Sequence, residues 1–69
     1  NDDEEIMAYF AVYCIETGVV LNVVECPEFL KQRIHLDPGQ DVLQIEDQIE
    51  QQRYLVKNQQ LVENQYYLN

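Results

Sequence analysis

The feature that most constrains this chain is an apolar stretch that begins at Ile6, ends at Cys26 and is interrupted once, by Glu16-Thr17-Gly18. Val, Ile, Tyr and Phe dominate the stretch, and these residues are typical of β-strands. A three-residue loop that ends in glycine suits a tight hairpin turn, because glycine adopts a positive φ without a Cβ clash. The stretch therefore predicts a β-hairpin that closes at Gly18.

The position of the turn fixes the register that we expect for this hairpin. The predicted pairs are Ile15 with Val19, Cys14 with Val20, Tyr13 with Leu21, Val12 with Asn22, Ala11 with Val23, and Phe10 with Val24. Both faces of such a hairpin are largely apolar, which strands tolerate when another layer covers each face. We expect another chain to supply one of the two covers.

The length of the chain also favours association. With 69 residues and 8.2 kDa, the chain is expected to form one small β domain over residues 6–69, after an acidic, flexible segment at 1–5. The core of a domain this small contributes only about 3–5 kcal/mol to stability. We therefore expect the chain to form a homo-oligomer or to be a subunit of a larger assembly.

Two shorter signals follow the hairpin. Pro27 fixes φ and is favoured at the start of a helix, which predicts a short helical turn near 27–33. Within this turn, Phe29 and Leu30 are expected to cap the sheet. The segment Asp37-Pro38-Gly39 predicts a tight turn, since proline presets one central position and glycine accepts the positive φ of the other.

Residues 41–64 fit two templates. Apolar residues at helical spacing favour a helix, although glutamines interrupt the apolar stripe. The alternative template is a strand at 42–45, then a hairpin of 54–57 with 60–63. A two-residue hairpin turn needs positive φ at both central positions, which Asn58 accommodates and Gln59 does not. Periodicity alone leaves helix and hairpin open.

Several short sequence segments resemble those of a known type of protein. They are Tyr9-Phe10-Ala11-Val12-Tyr13, Glu16-Thr17-Gly18, Cys26-Pro27-Glu28, Pro38-Gly39-Gln40-Asp41-Val42-Leu43 and Arg53-Tyr54-Leu55-Val56-Lys57-Asn58. Together they span residues 8–63 and resemble small structural proteins encoded among the tail genes of tailed bacteriophages. The resemblance implies a mainly β fold, a small antiparallel meander of β-hairpins, and a structural role in a tail fibre or tail-attached part.

The same resemblance favours strands over a helix in residues 41–64. An N-terminal β-hairpin followed by a C-terminal helix remains the alternative fold. The phage proteins carry glycine at the position of Gln59. Because this chain has glutamine there, we expect a longer loop in the final hairpin.

The composition of the chain limits the binding partners and the catalytic functions that we expect. Thirteen acidic and four basic residues give a net charge of −9, which repels the phosphates of nucleic acids and anionic membranes. The chain has one histidine, one threonine and no serine, a poor inventory for nucleophilic or acid–base catalysis. We expect neither an enzyme nor a cofactor, and no apolar run approaches the length of a membrane span.

Cysteine and histidine do not form a predicted site. Strand spacing places Cys14 and Cys26 on the order of 20 Å apart, too far for a disulfide, so both are expected to be buried free thiols, with an intermolecular bridge as the alternative. His35 lies near Asp37 and Asp41 in sequence, but one histidine among carboxylates is more typical of a solvated side chain than of a metal site.

Aromatic side chains are the best candidates for contacts with partners, because they bury a large area and keep a polar tip. The predicted partner-binding residues are Tyr9, Phe10, Tyr13, Phe29, Tyr66 and Tyr67.

The predicted function is that of a bacteriophage virion structural or adaptor protein, located in the virion after assembly in the host cytoplasm. It would bury apolar strand faces and pair exposed strand edges with other virion proteins or with copies of itself. The alternative is an acidic DNA mimic that inhibits a host nucleic-acid-binding protein.

Overall fold

The computed structural model describes residues 6–66, and antiparallel strands make up most of it. The strands are β1 (Met7–Cys14), β2 (Val20–Pro27), β3 (Gln40–Ile45), β4 (Tyr54–Lys57) and β5 (Gln60–Glu63), and two 3₁₀ helices are η1 (Glu28–Arg33) and η2 (Gln51–Arg53). The predicted mainly β fold of hairpins with a short helical turn is confirmed. The segment at 1–5 lies outside the described residues.

A three-stranded sheet forms the centre of the fold, with the strand order β2-β1-β3. β1 has the most apolar sequence and occupies the middle, where both of its edges are paired. β3 pairs antiparallel with the free side of β1, from Tyr9 opposite Ile45 to Cys14 opposite Gln40. The chain between β2 and β3 must therefore cross one face of the sheet.

The predicted register of the first hairpin is confirmed over most of its length. Pairs run from Met7 opposite Pro27 to Val12 opposite Asn22, as the position of the turn requires. At the turn itself the predicted pairs are wrong, because Tyr13 lies opposite Val20 and the register shifts by one residue.

A four-residue loop, 15–18, causes this shift. The Gly18 N–H donates to the Cys14 carbonyl at 2.7 Å, and the Cys14 N–H donates to the Val19 carbonyl at 2.9 Å. One more loop residue than expected moves the register at the turn, and a β-bulge at Leu21 restores it further along the strand. Gly18 still supplies the positive φ, +82°.

The two signals after the hairpin also correspond to structure. Pro27 ends β2 and precedes η1, the predicted helical turn. The Gln40 N–H donates to the Asp37 carbonyl at 3.0 Å, and Gly39 has φ +86°. This is a type II turn with proline and glycine at its central positions.

The C-terminal half forms the second hairpin and not the alternative helix. β4 pairs with β5, with Leu55 opposite Val62 and Val56 opposite Leu61. The turn has only two residues, and both have positive φ, Asn58 at 53° and Gln59 at 63°. The longer loop expected from the glutamine is therefore wrong, since Gln59 adopts the left-handed conformation of a type I′ turn.

Side chains of β1 alternate between two faces of the sheet, and this chain covers both. On one, the hairpin face, Ala11 and Tyr13 pack in a core cluster with Val56 of β4. On the opposite face, the helix face, Phe10 is 0% exposed and Ala8 is buried. η1 contacts β1 and β2, and the chain leaving it runs on towards β3 over this face. This chain therefore contributes a cover to each face, with η1 and the segment after it on the helix face and β4 on the hairpin face. A further cover from another chain stays a prediction.

Candidate interaction site

The structure separates the predicted partner-binding aromatics into two groups. Phe10 and Tyr13 are buried, and Tyr9 packs half-buried against the core cluster. Phe29 is 69% and Tyr66 82% exposed, and Tyr67 lies outside the described residues. Phe10 and Tyr13 therefore stabilise the fold, and of the described aromatics only Phe29 and Tyr66 present most of their surface to a neighbour. The prediction that both Phe29 and Leu30 cap the sheet is wrong for Phe29, which is exposed. Leu30 is half-buried and lies against the sheet.

Large apolar side chains are exposed at the end of the sheet where the first hairpin turns. We call Ile15, Val19 and Leu21 the turn-end patch. Ile15 is 59% exposed, and Val19 and Leu21 are 44% exposed each. The four-residue loop and the bulge produce this exposure, since they turn Ile15 and Leu21 out of the regular alternation of the hairpin. The sequence pattern placed both residues in regular strand pairs and so missed the patch.

A second apolar patch lies at the opposite end of the sheet. The Glu28 N–H donates to the Ile6 carbonyl at 3.2 Å, which places the start of η1 beside the start of β1. Ile6, Met7 and Phe29 flank this bond and are 75%, 47% and 69% exposed. We call these three residues the helix-end patch. Because β1 runs through eight residues between them, the two patches lie about 25 Å apart.

The outer edge of β2 is poorly suited to pairing with another strand. At its start this edge lies beside β4, where Val19 forms a bridge with Leu55. In an antiparallel pair, alternate residues of an edge strand point their backbone groups outward, and the bond from Glu28 to Ile6 makes Val23, Glu25 and Pro27 the outward positions of β2 beyond the bulge. The Val23 N–H donates instead to Asn22 Oδ1 at 2.9 Å, and proline has no N–H. Two of the three outward positions therefore offer no donor.

The outer edge of β3 also has acceptors for two of its three outward N–H groups. The Ile15 N–H donates to the Gly39 carbonyl at 2.9 Å, so the outward positions of β3 are Gln40, Val42 and Gln44. The turn carbonyl of Asp37 accepts the Gln40 N–H, and Asp41 Oδ1 accepts the Val42 N–H at 2.8 Å. Pairing of these sheet edges between subunits, the contact mode expected from the sequence, is therefore disfavoured.

A groove of about 490 Å³ lies on the helix face. Val12, Val24 and Cys26 form its floor on the sheet, and Leu30, Ile34 and Arg33 form part of the opposite wall. Apolar side chains dominate the lining, and Arg33 and His35 are its basic residues.

The two cysteines are free, as predicted, but half-buried and not fully buried. Hydrogen bonds from the Thr17 hydroxyl and from the backbone N–H groups of Thr17 and Glu16 lower the pKa of the Cys14 thiol, against the opposing effects of desolvation and the Glu16 charge. Cys26 lies in the groove, opposite Ala8 as the register predicts.

His35 forms an exposed pair with Asp37, with Nε2 and Oδ1 2.8 Å apart. Among residues 6–66, no three side chains of His, Cys, Asp or Glu come close enough together to hold a metal ion. Within the same part of the chain, no helix has the length and apolar character needed to cross a membrane.

Comparison with known proteins identifies no relative: no family model matches the chain, and no curated protein or solved structure is significantly similar to it.

Proposed function

We propose that this chain is a structural or adaptor subunit of a bacteriophage virion, in a tail fibre or tail-associated part, and that it binds its neighbours through the two ends of its sheet. The observation that carries the proposal is the exposure of the turn-end and helix-end patches, six large apolar side chains between 44% and 75% exposed. The resemblance of the sequence to phage tail-region proteins supports the placement in a virion.

End contacts fit the structure better than edge or face contacts. The chain itself covers both faces of the sheet apart from the groove on the helix face, and most of the outward N–H positions on both edges are occupied by side chains or turns or lack an N–H. Full burial of a large apolar side chain contributes about 1.5–3 kcal/mol. A patch of three such side chains can therefore contribute substantially to the free energy of association. Outside the groove, the two ends of the sheet are where large apolar side chains remain exposed in groups.

The charge of the chain limits how it associates. A net charge of −9 makes copies repel one another at long range, but at physiological salt this repulsion is screened beyond about 8 Å. Apolar side chains make contact at distances shorter than this screening length. We therefore expect end-to-end association to strengthen as salt is raised, whereas a contact made by ion pairs would weaken.

Light scattering on the purified chain at micromolar concentration tests the mode of binding. We expect a mass above the 8.2 kDa of one chain, and Phe29→Ser is expected to weaken association at least about tenfold, as removal of a central aromatic contact does. Gln32→Ser, an exposed polar change on the same helix, is the matched control and leaves the mass unchanged. A folded monomer at all concentrations would contradict self-association and favour the acidic inhibitor.

Location is tested separately, by immunogold electron microscopy of phage particles from the source of the sequence, with an antibody against this chain. Gold at the tail supports the proposal. Strong signal in the infected cell with none on purified particles would overturn it.

A further inference from the structure

We propose that the groove on the helix face binds a small anionic amphiphile, a molecule with an elongated apolar body and a terminal carboxylate. This inference is independent of the proposed assembly role, because the groove shares no residue with the helix-end patch and takes only Leu21 from the turn-end patch.

The size and lining of the groove suit an apolar body. About 490 Å³ lies within the range of about 300–1,000 Å³ that small-molecule sites occupy. Its floor follows β2 from Asn22 to Cys26, which corresponds to about 13 Å at the rise of a strand. Val24, Leu30 and Ile34 line this length, so an unbranched chain of about ten carbons is a suitable occupant.

The charge at the groove suits an anion. Acids outnumber bases by thirteen to four in the chain, yet neither Asp nor Glu lines the groove. His35, at the rim, is paired with Asp37. Arg33 forms no ion pair with any carboxylate among residues 6–66. Its guanidinium is a planar donor suited to a carboxylate.

A small molecule fits this groove better than a peptide strand. A strand binds beside a sheet edge through backbone hydrogen bonds, and the adjacent edge of β2 has its Val23 N–H occupied by Asn22 and has no N–H at Pro27. The occupant must therefore be held by apolar contacts and by an ion pair with Arg33. An anionic amphiphile can make both contacts.

The two cysteines make the proposal testable without knowledge of the natural ligand. Cys26 lines the groove and Cys14 lies outside it. In a Cys14→Ser variant, decanoate below its micelle concentration is expected to slow the reaction of Cys26 with a thiol reagent in a saturable way. In a Cys26→Ser variant, the reaction of Cys14 is expected to be unaffected.

Charge recognition is tested by paired variants and paired ligands. Arg33→Gln is expected to raise the decanoate concentration for half-protection about two- to fivefold, the range for an exposed ion pair. Lys31→Gln, which removes a neighbouring charge outside the groove, should leave it unchanged, and protection by the neutral decanol should not respond to Arg33→Gln. Absence of protection, equal effects of the two variants, or protection by decanol equal to that by decanoate would each overturn the proposal. Circular dichroism verifies that each variant is folded.

Discussion

At the scale of single residues, Gly18 meets two demands that no other residue satisfies. It has φ +82°, and a Cβ at this position would lie 2.5 Å from the Val56 carbonyl oxygen. The approach is close because the Val56 N–H donates to the Gly18 carbonyl at 2.8 Å. This bond attaches the second hairpin to the turn of the first. Gly18 therefore serves both the turn and the contact between the two sheets.

We expect Gly18→Ala to be far more destabilising than Gly39→Ala. Gly39 has a similar φ of +86°, but a Cβ there would meet nothing within 4 Å, so its substitution costs only the left-handed strain of about 1–2 kcal/mol. Gly18→Ala adds a backbone clash to the same strain. Urea unfolding followed by circular dichroism measures the difference, and equal midpoints for the two variants would contradict the close packing at Val56.

Tyr13 gives a prediction for alkaline pH. Burial raises the pKa of the Tyr13 hydroxyl, and the charge of Asp41 and a hydrogen bond to its carboxylate raise it further. Because this pKa is higher in the folded chain than the unfolded value of about 10, the stabilisation is complete below pH of about 10 and is lost as pH rises through the folded value. Tyrosinate absorbance should show a late-titrating group that Tyr13→Phe removes. A titration curve whose late phase is unchanged by this substitution would contradict the assignment.

At the scale of elements, the second hairpin contains a turn that its sequence does not favour. Gln59 has φ 63°, and a residue with a Cβ loses about 1–2 kcal/mol in this conformation. Asn58, at φ 53°, is a residue type that tolerates it. The hairpin forms nevertheless, because Val56 and Leu61 pack against the hairpin face of the larger sheet.

We therefore expect Gln59→Gly to stabilise the protein by about 1 kcal/mol through relief of this strain. Asn58→Gly, the matched control at the neighbouring position, should gain less. Thermal unfolding followed by circular dichroism compares the two variants with the unsubstituted chain. A lower melting temperature for Gln59→Gly would show that the turn is not under the strain that its φ indicates.

Sequence reasoning predicted the elements of this fold better than their arrangement. The register from Met7 to Val12 and the Asp37 turn depend on local patterns, and both are confirmed. The pairing of β4 with β5 is confirmed as well, but local patterns left it open against a helix, and the resemblance to phage tail proteins favoured it. The bulge at Leu21 depends on the length of the hairpin loop. Loops of three and four residues are close in energy, so the sequence does not determine which one forms. The exposed Ile15 follows from that same loop, so the turn-end patch could not be predicted either.

At the scale of the whole molecule, the capped edges have a role in the assembly that we propose. A subunit that joins its neighbours end to end must not also add strands along its sheet, since open strand edges lead to uncontrolled aggregation. Asn22 and Asp41 accept the outward N–H groups of the residues that follow them. Their residue types alone do not indicate these bonds, so pairing of the strand edges was the expectation from the sequence. In the proposed assembly, we expect these hydrogen bonds to direct association away from the edges and towards the apolar ends.

Asn22→Ala tests this role, because it frees the Val23 N–H at the edge of β2 without changing the charge. We expect the variant to form larger, concentration-dependent species than the unsubstituted chain, with additional strand signal in circular dichroism. Asn22→Asp keeps the accepting oxygen and is the matched control, measured in about 1 M salt, where screening reaches within about 3 Å of its added charge. If Asn22→Ala shows the same light-scattering mass as the unsubstituted chain over the same concentration range, the hydrogen bond to Val23 does not protect the edge, and end contacts alone set the state of association.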